Sequence, residues 1–135
     1  MTEQIVACPC GAAKLKISGE PLVQFYCHCG DCRRIHGAAY APEAMFKARD
    51  VEVTGETISF TLKTTPRISC AKCGARLYAD LPALKLVGVN GTLLPDFKPA
   101  FHMHCSEALA PVRDDLPHYA RQPAAFGGED ALVDW

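Results

Sequence analysis

Three short clusters of cysteines are the part of this chain that could do chemistry. The central cluster is Cys27-His28-Cys29-Gly30-Asp31-Cys32, and two pairs flank it in the sequence, Cys8-Pro9-Cys10 and Cys70-Ala71-Lys72-Cys73. The pairs supply four thiolates, enough to close one tetrahedral zinc site, whereas the trio supplies three and leaves one position open. Closed sites stabilise structure and open sites do chemistry. The spacing therefore predicts one structural zinc, on Cys8, Cys10, Cys70 and Cys73, and one functional zinc, on Cys27, Cys29 and Cys32.

Disulfides are the alternative use of eight cysteines in 135 residues. The segment Met1-Thr2-Glu3-Gln4 has no basic region followed by an apolar run, so we expect no secretory signal and a cytoplasmic location. A reducing compartment keeps thiols free, and CxC and CxxC spacings then indicate metal binding. A thioredoxin-like CxxC redox site is also open as an alternative, but such a motif normally occurs singly. Zinc is the preferred interpretation.

The open site favours thiol chemistry. Three thiolates on Zn²⁺ leave a net charge of −1, yet coordination still favours the thiolate form of an incoming substrate thiol. His28 is cramped as a ligand, so it either handles a proton beside the metal or is an exposed spacer. Arg33 and Arg34 could clamp a substrate carboxylate, the alternative being ordinary exposed arginines.

Further along the chain, three residues are harder to interpret. His102 and His104 alternate with Met103, so both are expected to point to one face of a strand, either lining the open metal position or at the surface. Cys105 is the unpaired eighth thiol and is expected to be a small core residue, with a role at the working metal as the alternative.

Composition limits the classes of protein to consider. The length suits one domain, which we expect over residues 1–121, followed by a loosely ordered tail over 122–135. The net charge of −1 disfavours nucleic acid as the main partner. No stretch approaches the roughly 18 apolar residues of a membrane span, so no membrane partner is expected.

The elements that must position these residues are predicted to be short strands. Ten glycines and ten prolines leave little room for long helices. Alternating and aliphatic segments predict a mostly antiparallel, mainly β fold, with a hairpin around Gly55-Glu56 and a helical turn over 32–36. The expected strands are 13–18, 22–27, 51–55, 57–62, 66–70, 76–80, 85–89 and 100–104.

The order and spacing of the motifs resemble a known family. Ala7-Cys8-Pro9-Cys10-Gly11, the central cluster through Arg33, and the segment from Cys70 to Leu77 resemble the glutathione-dependent formaldehyde-activating enzyme family, which includes centromere protein V. The likeness covers about residues 5–120, with the Gly37-Ala38-Ala39-Tyr40-Ala41 segment and the Asp114-Asp115-Leu116-Pro117 turn. It implies a β-tent zinc fold with the structural and functional zinc ions on the two cysteine sets given above.

The resemblance also implies an activity, the joining of glutathione and formaldehyde to S-hydroxymethylglutathione, a carbon–sulfur lyase reaction. The leading hypothesis is that a small thiol of glutathione type binds the open zinc position and attacks an aldehyde such as formaldehyde. In it, Cys27, Cys29 and Cys32 hold the metal, His28 moves a proton, and Arg33 or Arg34 holds a glutathione carboxylate.

Two other functions remain open from the sequence. The first is a non-catalytic zinc module that binds a protein or nucleic acid, as the centromere relative suggests. The second is methionine sulfoxide reduction with Cys105 as nucleophile.

Overall fold

Short β-strands make up most of the regular structure of the chain. The computed structural model describes residues 3–135, and in that range it has one α-helix, α1 at Gly30–His36, among ten strands joined by loops and 3-10 turns. The mainly β prediction is therefore confirmed. The strands are β1 Glu3–Ala7, β2 Lys14–Ser18, β3 Val23–Cys27, β4 Ala41–Lys47, β5 Val51–Thr54, β6 Thr57–Leu62, β7 Thr65–Cys70, β8 Arg76–Leu81, β9 Leu86–Asn90 and β10 His102–Met103.

The chain is divided between two compact units. The first, called the four-cysteine unit, contains the described residues up to Val23 together with Ala44–Phe97. The second, called the three-cysteine unit, contains Gln24–Glu43 together with Lys98–Trp135. Each cysteine cluster lies wholly within the unit named after it.

The four-cysteine unit contains two sets of antiparallel strands. In one, β2 pairs with β1 on one side and β5 on the other. Along β2, Leu15 and Ile17 are fully buried while Lys14 and Lys16 are exposed, the period-two pattern of a strand with one covered face. In the other set, β6, β7, β8 and β9 pair in sequence order. Phe46, Leu77 and Val89 pack with the buried face of β2 in one apolar core.

The predicted hairpin over 51–62 is wrong. Strand β5 pairs with β2, whereas β6 pairs with β7 through the short turn at Lys63-Thr64. Gly55 lies where the chain leaves one set of strands for the other. Its φ is +93°, and a Cβ there would lie 2.1 Å from the carbonyl oxygen of Ala12. Both segments are strands, as predicted; burial alternates along β5, whereas residues 58–61 of β6 are all exposed.

In the three-cysteine unit, β3 pairs with β10 in parallel, with Met103 opposite Cys27. Rings of Phe25 and Phe101 stack with centroids 5.4 Å apart, and Phe126 packs edge-on against both. Phe126 and the 3-10 turn at Ala124–Phe126 belong to the segment for which the sequence predicted loose order. None of the helices in the described residues has the length and apolar character needed to cross a bilayer.

Candidate metal centres

The first candidate centre joins two segments of the four-cysteine unit that are far apart in the sequence. Cys8 and Cys10 follow β1, Cys70 ends β7, and Cys73 follows within the next turn. The sulfurs of Cys8 and Cys10 lie 3.6 Å apart, and those of Cys10 and Cys70 lie 3.8 Å apart. All four sulfurs are within 4.8 Å of one another, as tetrahedral coordination of one ion requires.

Backbone amides stabilise the thiolate form of two of these sulfurs, those of Cys8 and Cys70. The N–H of Ala13 donates to Cys8 Sγ at 3.4 Å, and the N–H groups of Lys72 and Cys73 donate to Cys70 Sγ at 3.4 and 3.5 Å. The Ala13 hydrogen bond, helped by neighbouring thiols and opposed by burial, lowers the pKa of Cys8 to about 6. The pKa of Cys70 is also lowered, chiefly by the N–H of Cys73. Thiolates favoured in this way fit a structural zinc.

The second candidate centre is local in the sequence. Cys27 ends β3, Cys29 is the N-cap of α1, and Cys32 lies in the first turn of that helix. The three sulfurs lie within 4.8 Å of one another. Cys29 Sγ accepts a hydrogen bond from the backbone N–H of Cys32 at 3.3 Å, so the start of the helix fixes the thiolate position. Three sulfurs fit a zinc ion that keeps one exchangeable position.

Hydrogen bonds within this trio favour the thiolate form of Cys29. Hydrogen bonds from the thiols of Cys27 and Cys32, together with the backbone N–H of Cys32, lower the pKa of Cys29 to about 2. The same contacts raise the pKa of Cys27. Hydrogen bonds within the trio therefore favour the thiolate form at Cys29, and a bound metal ion would take the place of the thiol protons.

The two arginines lie beside this trio. Arg33 Nε donates to the carbonyl of His28 at 3.2 Å, and Arg34 Nε donates to the carbonyl of Gly30 at 3.1 Å. A Cβ on Gly30 would lie 2.5 Å from Nη2 of Arg34 and 3.6 Å from Nη2 of Arg33. Two guanidinium groups therefore converge next to the residue that follows Cys29.

His28 is buried rather than exposed, and its ring nitrogens are not part of the group of donor atoms formed by Cys27, Cys29 and Cys32. Its side chain is about 1% exposed, and Nε2 lies 2.8 Å from Nδ1 of His102. The imidazole also packs against the rings of Tyr40 and Trp135, with centroids 4.7 and 5.4 Å away. Burial lowers the pKa of His28 to about 4. Nδ1 makes no hydrogen bond with any of the described residues.

The expectation that His102 and His104 share one strand face is wrong. Strand β10 ends at Met103, and His104 has a left-handed φ of +56°. His102 is fully buried beside His28, whereas His104 Nδ1 lies 3.6 Å from a carboxylate oxygen of Glu107. Cys105 is buried outside both cysteine clusters, and burial raises the pKa of its thiol to about 12.

A third group of potential ligands was missed from the sequence. His102, Asp114 and His118, here called the histidine–aspartate cluster, place one donor atom each within 4.8 Å of the others. The sequence indicates His102 as a candidate site residue and Asp114 as part of a turn, and it indicates no role for His118. The i, i+4 spacing of Asp114 and His118 across Asp115-Leu116-Pro117 is the sequence signal that could have linked them.

Comparison with known proteins gives the family. A family model described as glutathione-dependent formaldehyde-activating enzyme matches residues 4–107, which include all seven clustered cysteines. The chain belongs to this family. The match extends over more than half of the sequence and ends before Asp114.

A solved structure supports the fold. The crystal structure of a Rhodobacter sphaeroides protein is similar with a TM-score of 0.57 and 24% sequence identity, covering 71% of this chain and 92% of that one. At this identity the likeness applies to the fold alone. No protein with a curated description matches the chain significantly.

Proposed function

We propose that this protein catalyses the reversible addition of a small thiol of glutathione type to an aldehyde such as formaldehyde, giving an S-hydroxymethyl thiol adduct. The observation that carries the proposal is the convergence of three cysteine sulfurs, all within 4.8 Å of one another, beside two guanidinium groups. Membership of a family named for glutathione and formaldehyde supports the same reaction class.

Cys27, Cys29 and Cys32 would hold a zinc ion with one exchangeable position. Bound there, zinc would favour the thiolate form of the incoming thiol at neutral pH. The three protein thiolates give that centre a negative charge, so an anionic substrate needs nearby positive charge. Arg33 and Arg34 supply two such charges next to Gly30, and each can bind a carboxylate of a glutathione-type substrate.

The addition forms one carbon–sulfur bond. The sulfur electron pair attacks the aldehyde carbon, the carbonyl π pair moves to oxygen, and that oxygen takes up the proton that the thiol released. The reverse step breaks the same bond and returns the proton to sulfur. No oxidant or reductant is required, in keeping with a carbon–sulfur lyase.

His28 is the residue we assign to proton movement. It separates two of the cysteines in the chain, and its Nδ1 is free of hydrogen bonds to the described residues. Its other ring nitrogen is held by His102, whose Nε2 lies 2.7 Å from Asp114 Oδ2. These contacts orient the His28 ring, which a proton carrier requires.

The test is the exchange of ¹³C-formaldehyde between its free and thiol-bound forms, followed by NMR with glutathione present. We expect faster exchange with the zinc-loaded protein than without it, and loss of that acceleration in Cys29→Ser. Cys105→Ser is the matched control, because Cys105 is buried but outside both clusters. No acceleration by the wild-type protein, or equal acceleration by Cys29→Ser, would reject the proposal.

Thiol binding can be measured separately from catalysis. In cobalt-loaded protein, a fourth sulfur ligand should strengthen the sulfur-to-cobalt charge-transfer absorption when glutathione is added. A spectral response without faster exchange would indicate a thiol-binding module instead of an enzyme.

A further inference from the structure

The histidine–aspartate cluster is a group of potential ligands that the proposed reaction does not use as ligands. Nε2 of His102 lies 2.7 Å from Oδ2 of Asp114, and Nε2 of His118 lies 2.8 Å from Oδ1 of the same carboxylate. Two imidazoles therefore approach one carboxylate from its two oxygens. The donor set is two nitrogens and one oxygen, chemically distinct from the thiolate clusters.

The backbone holds the two histidines side by side. His102 and His118 form a parallel bridge, in which the N–H of His102 donates to the carbonyl of Pro117 and the N–H of Tyr119 donates to the carbonyl of His102, both at 2.9 Å. The ring centroids of the two histidines are 4.7 Å apart. Asp114 is fixed in turn by the N–H of Leu116, which donates to Oδ1 at 3.1 Å. The cluster is thus held by main-chain contacts and not by the side chains alone.

One ring nitrogen in the cluster lacks a hydrogen bond. His118 Nε2 is buried and makes no hydrogen bond with the described residues, although Asp114 Oδ1 lies only 2.8 Å away. Buried polar atoms are nearly always hydrogen-bonded. A metal ion bound between this nitrogen and the nearby carboxylate would satisfy both groups.

We propose that His102 Nε2, His118 Nε2 and a carboxylate oxygen of Asp114 form a third metal site, which binds a divalent transition-metal ion such as zinc. Imidazole and carboxylate are ligands of zinc, and two histidines with one carboxylate leave a position for water or another ligand. The site is separate in chemistry and in sequence from both cysteine clusters.

The surroundings suit such a site. A histidine ligand usually has its second ring nitrogen held by another polar group, and His102 Nδ1 lies 2.8 Å from Nε2 of His28. The His118 ring is covered by Trp135, with centroids 5.0 Å apart. The Asp114 side chain is about 34% exposed while both histidine side chains are buried, so an ion would enter from the carboxylate side.

The experiment is ¹¹³Cd NMR of the reduced 135-residue protein during a titration with cadmium. The ¹¹³Cd chemical shifts of thiolate-bound and nitrogen–oxygen-bound ions are well separated. We expect three bound ions in the wild type, two with thiolate shifts and one with a nitrogen–oxygen shift. Asp114→Asn and His118→Gln should each lose the third resonance and keep the two thiolate resonances. Asp115→Asn, which changes the adjacent exposed carboxylate, should keep all three.

Two results would overturn the proposal. The first is a wild-type protein that saturates at two cadmium ions with no nitrogen–oxygen resonance, a measurement that needs no variant. The second is a third resonance that persists in both Asp114→Asn and His118→Gln. The two thiolate resonances of each variant report whether its fold is intact, and zinc analysis should give the same drop from three ions to two.

Discussion

At the scale of single residues, the seven clustered cysteines fall into two environments. Cys70 is fully buried and accepts two backbone hydrogen bonds at the end of a paired strand. Cys29 is half-buried at the start of a short helix, and its partners Cys27 and Cys32 lie within three residues of it. The four-cysteine site joins segments that are far apart in the sequence, whereas the three-cysteine site lies within one short stretch of chain.

We expect Cys70→Ser and Cys29→Ser to have separable effects. Cys70→Ser should remove a large fraction of the free energy of unfolding, because binding of a structural metal contributes directly to folding. The total free energy of unfolding of a natural domain is about 5–15 kcal/mol. Cys29→Ser should leave the unfolding midpoint almost unchanged while abolishing adduct formation. Thermal melts of the two zinc-loaded variants, together with the ¹³C exchange assay, test this. A Cys29→Ser protein that melts as early as Cys70→Ser contradicts the division of roles.

The guanidinium groups beside Gly30 lead to a second prediction. Arg33→Ala should raise the KM for glutathione at least about tenfold with a smaller change in kcat, because a charge-assisted hydrogen bond to substrate is worth roughly 1.5–3 kcal/mol. The same variant should have little effect on KM for a small thiol that lacks carboxylates. Arg49→Ala, at an exposed arginine in the other unit, is the control. Equal effects on both thiols would show that Arg33 acts on the metal centre and not on the carboxylate.

At the scale of elements, Gly55 allows the chain to pass from β5 to β6. A side chain there faces two obstacles, the positive φ of 93° and a collision with the Ala12 carbonyl 2.1 Å from the Cβ position. Strands β2 and β5 pair across this point, with Lys14 opposite Thr54, so the backbone has little room to shift. The glycine is required by packing as well as by conformation.

We therefore expect Gly55→Ala to lower the free energy of unfolding by at least about 3 kcal/mol, combining left-handed strain with overpacking. Gly127→Ala is the matched control, because Gly127 has a φ of 87° but nothing within 4 Å of its Cβ position. It should cost only about 1 kcal/mol. Urea unfolding of both variants measures the difference, and equal losses would show that the contact with Ala12 relaxes at no cost.

At the scale of the whole molecule, the two thiolate centres close loops of very different length. The four-cysteine centre brings together segments about 60 residues apart, whereas the three-cysteine centre lies within six consecutive residues. Removing an ion from the first would open a long loop and disconnect the end of β1 from the end of β7, two strands that do not pair with each other. Removing an ion from the second leaves β3 and the start of α1 covalently adjacent.

We expect the two cysteine-bound zinc ions to differ in their resistance to chelation. Dialysis against a weak chelator should remove the ion of Cys27, Cys29 and Cys32 first, since that site has an exchangeable position, and should leave the four-cysteine ion bound. Zinc analysis is best done in Asp114→Asn, where only cysteine-bound zinc is counted. Loss of both ions at the same chelator concentration would show that the two cysteine sites do not differ in zinc affinity as expected.

Some features of this molecule can be predicted from short stretches of its sequence. The grouping of the seven cysteines followed from counting thiols in motifs of three to six residues, and the structure brings the same sets together. Strand β2 can also be predicted from the sequence, because Leu15 and Ile17 alternate with lysines on a strand with one covered face. In both cases the property depends on neighbours in the chain.

Other features depend on neighbours in space, and only the tertiary structure decided them. Strand β4 was not predicted, because its residues from Glu43 to Phe46 are all buried and give no period-two pattern. The partner of β5 was wrong because pairing depends on the whole set of strands. No motif groups His102, Asp114 and His118 in the sequence, and they form a candidate metal site because a parallel bridge and one turn bring their donor atoms within 4.8 Å.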